Sequence, residues 1–203
     1  MIENYIDDNN ITHIYRYGSQ VYGTNHANSD DDYVFITKEK INIPDDDIST
    51  FTLDEFVEGV AKCNIACLES YFQNRTSGNI LKHDFYLPDI EIDKEVLRRS
   101  ISAIASNAWA KCKKKLTVEK DYNEYVALKS LFHSLRILDY GIQIATFGYI
   151  HAYDSMNFLY YDLFQMSKLY KKAELWQKID EKYKPLRNQK HSKFKLMCPF
   201  KDN

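Results

Sequence analysis

Three consecutive aspartates, Asp30 to Asp32, stand immediately before an apolar run that reads as a buried strand, YVFIT. Unpaired carboxylates in this position repel one another and are costly to desolvate, so a compensating charge is expected. Side chains two apart on a strand share a face, which directs Asp30 and Asp32 one way and Asp31 the other. Two converging carboxylates predict a hard-oxygen site suited to Mg²⁺, and a solvated acidic turn is the alternative.

A glycine-serine pair, Gly18 and Ser19, ends the strand-like segment THIYRY, and residues 20–28 read as a turn or short helix. Because glycine has no side chain, its backbone can approach a phosphate closely. The turn that follows offers free N–H groups and the positive end of a helix dipole. The two strand ends therefore predict a cation and a triphosphate held side by side.

A further set of candidate residues lies on a long predicted helix in the second half of the chain. Lys129, His133 and Arg136 are spaced i, i+4 and i+7, which places them within roughly 60° of one another on one helix face. Two cations and an imidazole suit the phosphates of a nucleoside triphosphate or of an acceptor. A solvated helix side is the alternative.

The stretch GSQVYGTNHANSDDD resembles the signature of the DNA polymerase β-type nucleotidyltransferase superfamily. In that family a glycine-serine turn precedes two aspartates that stand one residue apart, and Gly18, Ser19, Asp30 and Asp32 match this pattern. The resemblance implies an α+β fold with a small mixed-sheet palm domain. It also implies two Mg²⁺ ions, or Mn²⁺, that bridge the triphosphate and the attacking hydroxyl.

The family places a third carboxylate on the adjacent strand, where this chain has Asp47 directly before ISTFTL. Asp45 and Asp46 are the alternatives, because a shift of one residue turns the opposite face toward the metals. The resemblance thus implies Asp30, Asp32 and Asp47 as metal-binding and catalytic residues. It implies Gly18 and Ser19 as nucleotide-binding residues.

Over residues 12–150 the chain is also similar to predicted nucleotidyltransferases of bacteria and phages. The segment after the third predicted strand matches, including Glu69 in a supporting role, although Ile65 replaces the usual proline. The segment KSLFHSLRIL matches at Lys129, His133 and Arg136, for which the resemblance implies nucleotide binding.

Hydrophobic patterning changes from mixed to wholly helical near residue 92. Before residue 92, Thr52 and Glu55 match a capping box that predicts the start of a helix. A short second helix is predicted at 65–72. Pro185 and Pro199 are expected to deny the basic C-terminal segment a long helix. The predicted strands are 12–17, 32–37 and 48–53, and the predicted later helices are 94–115, 122–147, 155–170 and 172–183. The expected domains are an α/β nucleotidyltransferase domain (1–92), a helical domain (93–184) and a basic tail (185–203).

The net charge of −2 conceals a strong gradient along the chain. Residues 1–60 carry 13 acidic and 3 basic residues, whereas the rest carries 16 acidic and 24 basic residues. An acidic front and a basic rear suit a metal site that faces an anion-binding surface, and solvated surface charge is the alternative.

The expected location is the cytoplasm. No apolar run approaches the roughly 20 residues that a membrane helix needs. The segment MIENYIDDNN lacks the basic-then-apolar plan of a signal peptide. The four cysteines show no paired zinc spacing, so reduced structural thiols are expected.

The residues and the resemblance together predict a metal-dependent nucleotidyltransferase that binds ATP or another NTP and transfers a nucleoside monophosphate to a hydroxyl. The basic tail and the cluster Lys111 to Lys115 favour an RNA end as the acceptor, because phosphate neutralisation drives RNA binding. A protein hydroxyl, as in AMP-transferring antitoxins of the superfamily, is the main alternative. A small molecule such as an aminoglycoside and a non-catalytic nucleotide-binding module are the others.

Overall fold

The computed structural model describes residues 2–27, 29–76 and 79–200. These residues belong to two units, Met1–Asp93 and Lys94–Asn203. The first unit contains a small sheet and the second is helical, so the predicted α+β class is confirmed.

Four short strands form one mixed sheet in the first unit. The central strands β1 (Ile11–Tyr17) and β2 (Asp32–Thr37) are antiparallel and consist largely of β-branched and aromatic residues. Strand β3 (Ile48–Thr52) pairs parallel to β2, and β4 (Ile80–His83) pairs antiparallel to β1. The strand order is β3-β2-β1-β4, in which the sequence-based prediction missed only the short edge strand β4.

Among the described residues of the first unit, four helices accompany this sheet, and the one with the clearest sequence signal begins as predicted. The Thr52 hydroxyl accepts a hydrogen bond from the Glu55 N–H, and the Glu55 carboxylate accepts one from the Thr52 N–H, so the capping box is confirmed. Phe51 and Phe56 flank it with ring centroids 6.3 Å apart. The four helices are α1 (Glu3–Ile6), α2 (Ser19–Tyr22), α3 (Leu53–Ala61) and α4 (Ile65–Thr76).

Side chains cover both faces of the sheet because the central strands alternate between them. On one face, Phe35 packs against Ile14 and against the edge of the Tyr5 ring. On the other, the fully buried Tyr15 ring stacks on Phe56 of α3. Both central strands are therefore buried in the middle, and their charged residues lie at the ends.

The second unit is built around one long buried helix. This helix, α6 (Glu124–Phe147), begins at an Asn123 side-chain cap and ends at Gly148, whose φ of 82° is left-handed. The others are α5 (Lys94–Thr117), a 3₁₀ turn (Glu119–Asp121), α7 (Asn157–Leu169) and α8 (Lys172–Met197). Within the described ranges, no helix combines the length and apolar character needed to cross a membrane.

The expectation that Pro185 prevents a long C-terminal helix is wrong. Helix α8 continues through Pro185 to Met197, and the segment predicted as a basic tail is mostly part of it. A proline removes one helical hydrogen bond, but burial on both sides of it compensates: Ile179 and Phe194 are fully buried and Tyr183 nearly so. The basic residues of this segment are thus fixed on a packed helix.

A polar network joins α6, α8 and the segment before α7. The Lys190 ammonium lies 2.6 Å from Asp139, and both side chains are mostly buried. The other Asp139 oxygen accepts hydrogen bonds from Ser155 and Gln143. Burial by itself would raise the pKa of Asp139, but the hydrogen bonds from Lys190, Ser155 and Gln143 lower this pKa below its usual range.

We expect Asp139→Ala to lower the free energy of unfolding by about 3 kcal/mol, because it leaves the Lys190 ammonium buried without its carboxylate. The matched control is Asp180→Ala, which breaks the more exposed pair with Lys184 on α8 and should cost at most about 0.5 kcal/mol. Urea unfolding of both variants measures the difference. Equal losses would show that the network is not a stabilising contact.

Candidate functional site

The backbone of Gly18 lies directly against the carboxylate of Asp32. Strands β1 and β2 pair Tyr17 with Asp32, so the residue after Tyr17 falls beside that aspartate. Gly18 has φ 69° and ψ −146°, and a Cβ atom built on it would lie 2.0 Å from Asp32 Oδ2. Only glycine fits this position, for both steric and conformational reasons.

Ser19 begins the four-residue helix α2; Glu69 of α4 contacts this helix and Gln73 of α4 contacts the end of β1. The Tyr22 hydroxyl at the end of α2 donates a 2.5 Å hydrogen bond to Glu69, whose side chain is fully buried. Gln73 donates to the Arg16 carbonyl at the end of β1. The glycine-serine turn is therefore fixed on both sides by α4, and Tyr22 is a partner of Glu69 in this unit.

A cavity of about 380 Å³ brings several of the predicted carboxylates together. Its position follows from the parallel pairing of β2 and β3, in which the Tyr33 N–H donates a 2.8 Å hydrogen bond to the Asp47 carbonyl. Asp32 is not among the lining residues. Those residues are Ile2, Tyr5, Asp30, Asp31, Tyr33, Asp45, Asp47 and Ile48.

The predicted separation of Asp31 from Asp30 is wrong. Strand β2 begins at Asp32, so Asp30 and Asp31 precede it and do not follow its alternation of faces. Both line the cavity, and Asp31 also accepts a 2.7 Å hydrogen bond from Gln20. Asp32, within the strand, lies beside Gly18 instead.

Asp47 lies in an acidic environment that affects its protonation. Partial desolvation raises the pKa of this carboxyl, and the negative charge of Asp30 raises it further, followed by Asp45, Asp46 and Asp31. Of the two alternatives to Asp47, the Asp45 carboxylate accepts a hydrogen bond from the Asp47 N–H and so shapes the loop. Asp46 is exposed and does not line the cavity.

The carboxylates do not form a ready-made metal cage. In the parts of the chain that the structure describes, no group of three or more His, Cys, Asp or Glu side chains is close enough to hold a metal ion. Asp30 and Asp47 share the cavity and interact electrostatically, while Asp32 contacts the glycine turn. Their oxygen donors are chemically suited to Mg²⁺, but the three are not preassembled around one point.

Lys129, His133 and Arg136 share one side of α6 but differ in burial. Lys129 is exposed, with its ammonium 5.3 Å from the Tyr125 ring centroid. Arg136 is only 2% exposed and donates hydrogen bonds to His133 Nδ1 at 2.9 Å and to the Tyr140 hydroxyl at 3.3 Å. The three residues are therefore not a uniform solvated stripe.

His133 is neutral at physiological pH in this environment. Burial lowers its pKa to about 3, and the positive charges of Arg136 and Lys111 act in the same direction. Its Nδ1 atom accepts the hydrogen bond from Arg136, which places the ring proton on Nε2. His133 can therefore orient Arg136 but contributes no positive charge of its own.

Sequence analysis missed three residues that shape this site. Tyr33 lines the cavity because its N–H pairs with the Asp47 carbonyl, a contact between residues 14 positions apart that the sequence does not indicate. Tyr5 reaches the cavity from α1, a helix of four residues that carries no clear sequence signal. Tyr22 gave no signal for its contact with Glu69, because the two residues are 47 positions apart.

The free energy of unfolding should fall as the pH drops from about 6.5 toward 3. In that window the unfolded chain protonates His133 at its ordinary pKa while the native chain does not, so acid favours unfolding. His133→Gln keeps an oxygen acceptor for Arg136 and should flatten this dependence, as measured by urea unfolding at several pH values. His151→Gln, at an exposed histidine of the same unit, is the control. A profile that His133→Gln leaves unchanged would contradict the assignment.

Comparison of the chain with protein-family models, with curated protein sequences and with solved structures gives no match. What the site does is therefore inferred from its own side chains and their positions.

Proposed function

We propose that the chain is a metal-dependent nucleotidyltransferase with a polymerase β-like palm domain in its first unit. It transfers a nucleoside monophosphate from an NTP to a hydroxyl acceptor, an RNA end. In this reaction the acceptor oxygen forms a bond to the α-phosphorus, the bond from that phosphorus to the pyrophosphate oxygen breaks, and pyrophosphate leaves.

The observation that carries this proposal is the contact between Gly18 and the Asp32 carboxylate. A side-chain-free backbone next to a carboxylate lets a phosphate and a cation occupy adjacent positions. Under the proposal, the Gly18–Ser19 turn binds the β- and γ-phosphates. Its anchoring by Tyr22 and Gln73 would keep that turn in place while the α-phosphate reacts.

The carboxylates fit a hard divalent cation by their chemistry. Asp30, Asp32 and Asp47 would hold Mg²⁺ or Mn²⁺, and a cation there would relieve the repulsion that raises the pKa of Asp47. When bound, two such ions supply activation of the acceptor hydroxyl and neutralisation of the leaving pyrophosphate. Under the proposal, Asp47 would also accept the proton of the acceptor hydroxyl.

The charge of the second unit supports RNA as the acceptor. Residues 94–203 carry 21 basic and 11 acidic residues, a net charge of +10. Such a charge attracts a polyanion and does not suit a positively charged aminoglycoside.

Incubation with each α-labelled NTP, Mg²⁺ and total cellular RNA tests the reaction. We expect label in RNA, and a loss of about a hundredfold or more in Asp30→Asn, Asp32→Asn and Asp47→Asn, as befits direct ligands. Asp46→Asn changes an exposed aspartate of the same loop outside the cavity and is the matched control. Label in protein would favour the AMP-transferase alternative. The absence of label in both RNA and protein with every NTP would contradict the proposal.

Gly18→Ala should abolish transfer, whereas Gly148→Ala should leave it intact. Both glycines have positive φ, but Gly148 is in the left-handed α region, where alanine costs about 1–2 kcal/mol, whereas Gly18 with ψ −146° lies near a region that essentially only glycine adopts. Only at position 18 would the new Cβ collide with Asp32, since nothing lies within 4 Å of the one at position 148. Transfer rates and melting temperatures of both variants measure this. Parallel losses of activity would mean that the contact with Asp32 is irrelevant to catalysis.

A further inference from the structure

One exposed surface of the second unit combines aromatic rings with lysines. It lies on α6, α7 and the residues that adjoin them, and we call it the aromatic–lysine face. Two of its rings are strongly exposed, Tyr125 at 44% and Tyr161 at 61%. The face consists of Tyr122, Tyr125, Lys129, Tyr161, Lys168 and Lys172.

A continuous row of ring contacts connects the exposed rings. Phe164 lies 5.9 Å from Tyr125 and 4.7 Å from Tyr160, and Tyr160 lies 5.9 Å from Tyr161, all between ring centroids. Tyr160 and Phe164 also pack against the core of the unit. The outer rings are therefore supported by packed side chains, and ordering them when a ligand binds costs little conformational entropy.

The lysines lie among these rings. The Lys129 ammonium is 5.3 Å from the Tyr125 ring, and the Lys172 ammonium is 3.8 Å from the Tyr122 ring. Lys168 follows Phe164 by one helical turn. Among the residues that the structure describes, none of these three lysines has a carboxylate within 4 Å.

The acidic residues nearby are already engaged. Asp162 pairs with Lys182 at 2.6 Å, and Asp121 pairs with Lys114 at 3.0 Å. The Glu124 carboxylate accepts a 2.8 Å hydrogen bond from the Tyr122 hydroxyl. Glu124 keeps its negative charge in this hydrogen bond, but the three lysines of the face outnumber it, so the face is positively charged.

We propose that the aromatic–lysine face binds single-stranded RNA. Exposed rings stack on bases of any sequence, and lysines spaced between them neutralise the phosphates that connect those bases. An apolar protein surface would cover three lysines without compensating their charge, so it suits this face less well. The inference rests on the proposed function for the role of RNA as acceptor, and it adds where the strand binds.

Fluorescence anisotropy of a labelled RNA of about 12 nucleotides, without NTP or Mg²⁺, tests this proposal. We expect Tyr161→Ala to weaken binding by about fivefold or more through lost stacking. Lys168→Gln should reduce the slope of log affinity against log salt by about 0.7. Both side chains are exposed, so neither substitution threatens the fold.

The controls are matched in residue type and exposure. Tyr86→Ala removes a ring that is 88% exposed in the first unit. Lys38→Gln removes an exposed lysine of the same first unit. Both controls should bind RNA as the wild type does.

Three outcomes would overturn the proposal: equal affinity of the wild type and the face variants, no binding of RNA at low salt, or a dimer that Tyr161→Ala dissociates without changing RNA affinity. The last would assign the face to a second copy of the chain.

Because binding is measured without substrate, a protein that binds RNA through this face and transfers nothing would refute the proposed reaction alone. A protein that labels RNA equally well in the face variants, with unchanged affinity, would refute the face alone.

Discussion

The antiparallel pairing of Tyr17 with Asp32 is the constraint on which the candidate site depends. It places the residue after β1 against the first carboxylate of β2, and it leaves no room there for any side chain. The same sheet then aligns β3 beside β2, which brings Asp47 next to the residues that precede Asp32. One strand register thus determines the positions of the glycine turn and of the acidic cavity, while α4 keeps the turn from moving.

Charge is divided between the two units slightly more sharply than the gradient along the chain indicates. The first unit has 18 acidic and 6 basic residues, and the second has 11 acidic and 21 basic residues. Each unit therefore repels itself and attracts ions of opposite sign. Under the proposed function, the sheet unit binds the cations and the helical unit binds the polyanionic acceptor.

Local signals predicted the parts of the fold that local interactions control. The bounds of β2 and the capping box at Thr52 followed from strand propensity and from a four-residue motif. Prediction failed where distant contacts decide. Pro185 stays inside a helix because the flanking turns are buried, and Arg136, which spacing alone made a surface candidate, is buried beside Tyr140. Asp30 does not follow the strand alternation because β2 begins at Asp32, as predicted, and the alternation of faces does not extend to the residues before the strand.

The position of β1 between β2 and β4 has a consequence for how the chain folds during its synthesis. Strand β1 can pair with β2 once Thr37 has left the ribosome, because their contacts are short in sequence. The other edge of β1 must wait for His83, which is 70 residues after its partner His13. Until then that edge exposes unpaired N–H and C=O groups beside apolar side chains, so the nascent sheet is open to pairing with other chains. Helices α3 and α4 precede β4 in the chain, so they can form before β4 is available and cover the adjacent face.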